Sequence, residues 1–232
     1  MSVESIFRKI NACPTVEDTF NCLCRFFEGQ GFRGFCYMAP EGVVGRYLLL
    51  QRGMPDDWVS RYQKRDYRQR DPIPAAAFRL GTPERLSHLI AGLTGLSTGE
   101  KAYLEDLVNS GLTDGLVIPA YGPLGRPGLI GLTQIVHPDL LDNIDIYLVA
   151  AVAQQAHIRM EILQSTGPGP LLSPCEREVL YWLAKGKSNG DIAEITGRAA
   201  STIATHVRRI YAKLGVNDRV SCIARAIAGH HV

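Results

Sequence analysis

Apolar residues recur at helical spacing over residues 3–11 and 16–30, and the period then falls to two over 32–38 and 46–51. That change predicts two helices followed by two strands, antiparallel across the turn formers Pro40, Glu41 and Gly42. Residues 56–66 read as a helix with Trp58, Val59 and Tyr62 on one face, and 73–80 and 99–109 read as shorter helices. Two more strands, 115–121 and 129–136, flank a glycine- and proline-rich turn at 122–128. A long helix over 138–163 closes this part. Its stripe of Leu141, Ile144, Tyr147, Leu148, Ala151, Val152, Gln155 and Ile158 is wide enough to pack on both a sheet and a partner. Strands clustered between helices predict an α+β fold, an α-β-α sandwich around an antiparallel sheet.

Residues 164–171 (QSTGPGPL) interrupt two helical patterns and read as a short, semi-stiff linker. They divide a first domain, 1–163, from a second, 172–232. In the second, Ser173, Pro174 and Glu176 form a capping box with proline at the first helical position. Val179, Leu180, Leu183 and Ala184 follow at helical spacing until Gly186. Ser188 with Asp191 caps a second short helix that ends at Gly197. A third, from about Ala200 to Leu214, buries Ile203, Val207, Ile210 and Leu214. It turns Ala204, Thr205, Arg208, Arg209 and Lys213 outward, with Ser201 and Thr202 in its first turn. The whole predicts an all-α domain of four short helices with the layout of a DNA-reading helix-turn-helix.

A helical bundle used for protein contacts is the competing reading, with the basic residues as a solvated face. Charge favours DNA. From Ser173 to Val232 there are 9 Lys and Arg against 5 Asp and Glu, leaving 16 basic and 18 acidic residues before them, so the chain's +2 divides into +4 and −2. Only the second domain is basic, as expected if it alone meets phosphate.

This segment resembles the helix-turn-helix domain of LuxR-type regulators, also seen in response regulators. Leu172, Glu176, Val179, Leu180, Gly186, Ile192, Thr202, Ile203, His206, Lys213, Leu214 and Val216 are among the residues that carry the likeness. One departure is Ala199, where the family usually has a serine capping the recognition helix; the loss costs ~1 kcal/mol. The resemblance implies that Arg208 reads a base edge and that Arg209 or Lys213 meets phosphate.

In the first domain Trp58 and Tyr62 stand four apart on one helical face, and Asp71-Pro72 opens a later segment. Two readings stand from the residues alone. Trp58 and Tyr62 are core and Asp71 caps a helix, or an indole, a phenol and a carboxylate together hold a small polar headgroup, with apolar residues around its tail.

W-x-x-x-Y followed by D-P, with Gly115 and Pro119 later, is similar to the autoinducer-binding domain of LuxR-type quorum-sensing regulators, over most of residues 1–163. The resemblance implies that Trp58 donates to a lactone carbonyl, Asp71 accepts the ligand's amide N–H and Tyr62 lines the acyl pocket. Gln134 is counted with them as a ligand-binding candidate. The family commonly has a tyrosine where Met54 stands and a second tryptophan where Leu86 stands. These departures leave three possibilities: an unusual acyl-homoserine lactone, a chemically different signal, or a fold that needs none.

No catalytic arrangement competes. His88, His137, His157 and His206 fall on separate elements, and His230-His231 is expected to be solvated. There is no phosphate-binding glycine loop and no carboxylate pair on one helix face. The six cysteines, Cys13, Cys22, Cys24, Cys36, Cys175 and Cys222, form no C-x-x-C. They read as free buried thiols of a reducing cytoplasm, with redox sensing as the lesser reading. No metal or cofactor is expected beyond a small-molecule signal. No apolar run reaches the ~18 residues of a spanning helix.

The chain is thus expected to be a cytoplasmic transcriptional regulator, not an enzyme, sensing an acyl-homoserine lactone or related hydrophobic signal and binding a two-fold operator as a homodimer. RNA polymerase or another LuxR-type regulator is a further candidate partner. The alternatives are a ligand-independent regulator or an anti-activator acting by heterodimerisation and, less favoured, a phosphorylation-controlled response regulator.

Overall fold

A computed structural model describes residues 3–40, 47–122, 126–137, 139–165 and 172–228. The turn expected after Pro40, the tip of the 122–128 turn, most of the linker and the His230-His231 pair lie outside the described residues. The chain divides into two compact units, Met1–Leu163 and Gln164–Val232.

In the first unit, helices α1 (Val3–Ala12) and α2 (Val16–Glu28) precede strands β1 (Phe32–Pro40) and β2 (Tyr47–Arg52). Helices α3 (Asp56–Lys64) and α4 (Ile73–Leu80) follow, then β3 (Glu84–Arg85), α5 (Leu86–Ala91) and α6 (Thr98–Asn109). Strands β4 (Leu116–Tyr121) and β5 (Pro127–Ile135) and helices α7 (Leu140–Asn143) and α8 (Ile146–Ser165) complete it. The sheet order is β2-β1-β5-β4-β3, with each pairing antiparallel. The doubly wound parallel sheet of a phosphorylation-controlled receiver is a different topology.

The period-two pattern builds both layers of the sandwich. Phe35 and Tyr37 of β1, Ile118 of β4, and Ile130 and Leu132 of β5 pack with Ile6 of α1, Phe20 and Phe27 of α2, and Val152 and Ala156 of α8. The intervening residues Met38, Val117 and Leu129 point the other way, into a second cluster with Trp58 of α3, Ile73 of α4, Leu89 of α5 and Tyr103 of α6. Successive side chains on opposite faces account for this division.

Three expectations needed correction. The long helix expected over 138–163 is two helices, because Ile144 is extended and Asp145 Oδ1 accepts from Tyr147 N and Leu148 N, starting α8 afresh. Its buried stripe is also shifted, running through Val149, Val152, Ala153, Ala156 and Met160 while Tyr147 and Ala151 face solvent. Val152 is common to both stripes, and Leu141, Ile144 and Leu148 of the expected one pack at the edge of the same core. The helix expected to reach Asp66 stops at Lys64: Asp66 is left-handed, and one 3-10 turn over Tyr67–Gln69 follows. The edge strand β3, unforeseen, pairs Glu84 with Val117.

Gly115 seats this edge. Its φ is +155°, and a Cβ there would lie 1.9 Å from Leu132 O. Its own carbonyl accepts from Leu86 N at 2.9 Å, fixing the start of α5.

The second unit holds α9 (Pro174–Ala184), α10 (Asn189–Thr196), α11 (Ala200–Leu214) and α12 (Arg219–Ala228). Both expected capping boxes are present, Ser173 with Glu176 and Ser188 with Asp191. Ile203, Val207, Ile210 and Leu214 are buried against Val179, Leu180, Leu183 and Ile192. Ala199 offers α11 no side-chain cap; Thr202 N and Ile203 N reach only its carbonyl.

Candidate functional site

Between the sheet and the α3–α6 layer lies a cavity of about 110 Å³, lined by Met54, Trp58, Tyr62, Asp71 and Leu86 among others. Trp58 and Tyr62 come from one face of α3, as the i, i+4 spacing requires. Asp71 comes from the turn before α4, where its Oδ1 accepts from Ile73 N at 2.9 Å. Asp71 Oδ2 accepts from Tyr62 Oη at 3.1 Å, and Tyr103 donates to the same carboxylate. Asp71 thus closes a two-residue turn onto Ile73 while facing the cavity; it is not the helix cap of the other reading, since the N-cap of α4 is Pro72 with no side-chain bond.

Enclosure of the Asp71 carboxyl pushes its pKa up to about 6, against the pull of Ile73, Tyr103 and Tyr62. The phenols of Tyr62 and Tyr103 are raised by their own burial and by this carboxylate. Trp58 stacks on Tyr67 at 5.9 Å and is tilted against Tyr62 and Tyr103. Among the described residues nothing hydrogen-bonds its indole N–H.

The arginines beside this aromatic cluster do more than solvate α3. Arg61 bonds Asp106 at 3.1 Å and Ser110 at 2.6 Å, and Arg65 and Tyr67 also reach Asp106, so α3 is pinned to α6. Arg68 lies over the Tyr47 ring at 4.7 Å.

Gln134 does not line the cavity. Leu129, Gly131 and Thr133 are the β5 residues that do, and Gln134 is out of phase with them at a positive φ of 55°. The polar group of this strand in the cavity is Thr133, whose Oγ1 donates to Met54 Sδ at 3.5 Å. Thr133 was legible as the in-phase neighbour of Leu129 and Gly131, and Cys36 as that of Met38. Tyr103, far along the chain on α6, carries no local signal of its place. The thiol of Cys36 is pushed up to about 11 by burial. All six cysteines are free; only Cys24 and Cys222 are buried, and the other four are partly exposed, so the expectation of buried thiols holds for two.

In the second unit Ser201, Thr202, Thr205, Arg208 and Arg209 are exposed along α11, and Ala204 is half-buried. Lys213 is exposed like these, but it has an acidic partner within its own unit. Its Nζ lies 2.7 Å from Glu176 Oε2, on a glutamate 3% exposed. Lys213 and the capping bonds of Ser173 hold the Glu176 carboxyl down at about 2. The ammonium thus sits at the surface as the counter-charge of a buried carboxylate.

Among the described residues no helix is long and apolar enough to cross a membrane. Residues 15–160 match the family described as the autoinducer binding domain, and residues 170–226 match bacterial regulatory proteins, luxR family. The chain is 25% identical over 215 residues to the transcriptional activator protein AhyR of Aeromonas hydrophila, covering 88% of this chain and 82% of AhyR. It is 23% identical over 219 residues to the transcriptional activator protein EsaR of Pantoea stewartii subsp. stewartii, covering 88% of each. In fold it is similar to Escherichia coli SdiA, with a TM-score of 0.76 at 17% identity over 99% of this chain and 97% of that one. The complex of SdiA with octanoyl-rac-glycerol has a TM-score of 0.72 at 19% identity, covering 98% and 93%. With an autoinducer-binding domain in its first unit and a luxR-family regulatory domain in its second, the chain belongs to the LuxR-type quorum-sensing transcriptional regulators.

Proposed function

We propose that residues 1–163 are a sensor that binds an amphiphilic small-molecule signal, that 164–171 lead from it as a linker whose first two residues still belong to α8, and that 172–232 read a two-fold operator as part of a homodimer. The observation that carries the sensor reading is the pairing of groups in one apolar cavity: the indole donor of Trp58, which no described residue accepts from, and the acceptor oxygens of Asp71. A ligand amide or ester with a carbonyl and an N–H or O–H satisfies both, and the apolar lining takes an acyl tail. Thr133 releases only a weak sulfur acceptor if it turns to a ligand carbonyl, and so substitutes for the phenol that Met54 lacks.

Two chemistries fit, an acyl-homoserine lactone and a monoacylglycerol of the kind bound by SdiA. A ligand bound only by the native state stabilises it by mass action, which links signal to active regulator. Mass spectrometry of the denatured protein after purification tests the reading: a stoichiometric acylated small molecule supports it. Absence of any such molecule, together with no thermal shift on adding N-octanoyl-homoserine lactone or monooctanoylglycerol, refutes it. That outcome favours the ligand-independent reading, for which Tyr62, Tyr103 and Ile73 already satisfying Asp71 is the supporting observation.

On DNA, Arg208 reads a base edge, Arg209 meets phosphate, and Ser201, Thr202 and Thr205 lie along the same exposed surface, Ala204 adding little. With Lys213 held by Glu176, Arg209 carries the phosphate contact. The solvent-facing residues Tyr147 and Ala151 on α8 suit a second copy of the chain. A cytoplasmic place of action follows from DNA as the target. RNA polymerase or another LuxR-type regulator would be a further partner.

A further inference from the structure

The face of the sheet opposite the cavity carries a buried polar network that the signal-binding reading leaves unused. Gln154, His157 and Glu161 stand at i, i+3 and i+7 on α8, one stripe of the helix, and all three grip the turn end of the β4–β5 pair. Gln154 Oε1 accepts from Tyr121 N at 2.9 Å, and its Nε2 donates to Tyr121 O at 2.6 Å. His157 Nε2 donates to Arg126 O at 3.0 Å, which leaves Nδ1 to accept from Tyr37 Oη at 2.9 Å. Full enclosure disfavours the charged ring and lowers its pKa, so His157 is held as a neutral imidazole. The Arg126 guanidinium reaches Glu161 Oε2 through a single nitrogen at 3.1 Å.

Two features make this more than packing. Glu161 is 0% exposed, yet among the described residues its Oε1 has no hydrogen-bond partner. A buried carboxylate oxygen left unpaired is costly, and a second arrangement that pairs it is within reach of the same guanidinium, whose planar fork suits a two-point grip. The fit is also close: a Cβ at Gly128 would lie 2.4 Å from His157 Nδ1. Directional bonds at such close approach transmit small displacements that apolar contacts would absorb.

The strands that end in this grip also form the cavity wall, through Val117 of β4 and Leu129, Gly131 and Thr133 of β5. Helix α8 is the last element before the linker. We propose that Gln154, His157 and Glu161 are positioning residues, a polar clamp by which the β4–β5 end of the sheet sets the position of the C-terminal part of α8. Occupancy of the cavity shifts β5 and draws Arg126 from a one-point to a two-point grip on Glu161. The occupancy step rests on the signal-binding reading; the clamp itself does not.

The test uses hydrogen exchange of residues 158–165 in the full chain, with α6 as an internal reference for global stability. Gly131→Ala perturbs the cavity wall without any ligand, because its methyl would meet Cys36 Sγ at 2.6 Å. Thr133→Val is the second wall variant should the first fail to fold. Arg126→Lys keeps the charge and removes the fork. The expected result is that either wall change alters exchange at 158–165 at least threefold more when Arg126 is intact than when it is combined with Arg126→Lys. Equal effects in both backgrounds overturn the clamp. In parallel, N-octanoyl-homoserine lactone should protect 158–165 in the unsubstituted protein, and lose that effect in Arg126→Lys while binding equally well. Coupling without lactone binding leaves the clamp standing and removes the lactone from the signal reading. Lactone binding with equal exchange effects does the reverse.

Discussion

Glu176 Oε2 and Lys213 Nζ, 2.7 Å apart, tie the capping box of α9 to the last turn of α11. The same carboxylate accepts from Ser173 N at 2.6 Å, so one buried group anchors both the start of the unit and the end of its reading helix. Lys213→Met should leave that carboxylate without its cation and lower the stability of the second unit by about 2 kcal/mol, less than for a fully buried pair because Lys213 is partly exposed. The folded carboxyl, at about 2, lies below its ordinary value of 4.5. Its contribution is therefore complete above about pH 5 and is lost as pH falls toward 2. Urea melts of the isolated transition at pH 3 and pH 7 should show this difference shrinking in Glu176→Gln.

Arg208 and Lys213 should separate on DNA. Arg208→Ala should cost about 1–3 kcal/mol on the cognate operator and little on random DNA. Arg209→Ala should weaken both and lower the salt slope by about 1. Lys213→Met should leave the salt slope unchanged while lowering the melting temperature. A slope change with Lys213→Met, read by fluorescence anisotropy over a salt series, would return it to the phosphate contacts.

Asp71 runs opposite to Glu176 in its linkage. Its folded pKa, about 6, lies above the ordinary 3.8, so folding is favoured by it below about pH 4 and loses about 3 kcal/mol as pH rises through 6. Asp71→Asn should flatten the stability profile between pH 4 and 7. A ligand N–H prefers the carboxylate, so affinity should rise through pH 6 in the unsubstituted protein and stay level in the variant. Thermal melts and titrations across this range decide it; unchanged affinity and an unchanged slope in Asp71→Asn would remove Asp71 from ligand binding.

Met54 and Leu86 should set the preference among headgroups. Met54→Tyr with Leu86→Trp should raise affinity for N-octanoyl-homoserine lactone by about 1–2 kcal/mol, one hydrogen bond plus one aromatic contact. Leu86 is 4% exposed in a filled layer, so the tryptophan should also lower stability by about 1–3 kcal/mol. Calorimetric titration beside thermal melting separates the two effects. Tight lactone binding before substitution, unimproved after it, would show that neither residue disfavours the lactone.

Local chemistry decided much of this protein. The capping boxes at Ser173 and Ser188, the buried row Ile203, Val207, Ile210 and Leu214, and the alternation that divides β1 and β5 between two layers all follow from neighbours in the chain. So does the shared face of Trp58 and Tyr62. What only the tertiary structure decided depends on residues far apart in sequence. Tyr103 joins Asp71 from another helix, and Thr133 meets the Met54 sulfur, far from it in the chain, inside the cavity. Asp145 restarts a helix that periodicity ran through, and the fully buried line along α8 is Val149, Val152, Ala153, Ala156 and Met160, with Tyr147 and Ala151 left in solvent. Lys213 looks outward on a helical wheel and is exposed, but that its ammonium meets Glu176 of another helix was not legible, because a buried carboxylate takes a counter-charge wherever the fold can supply one.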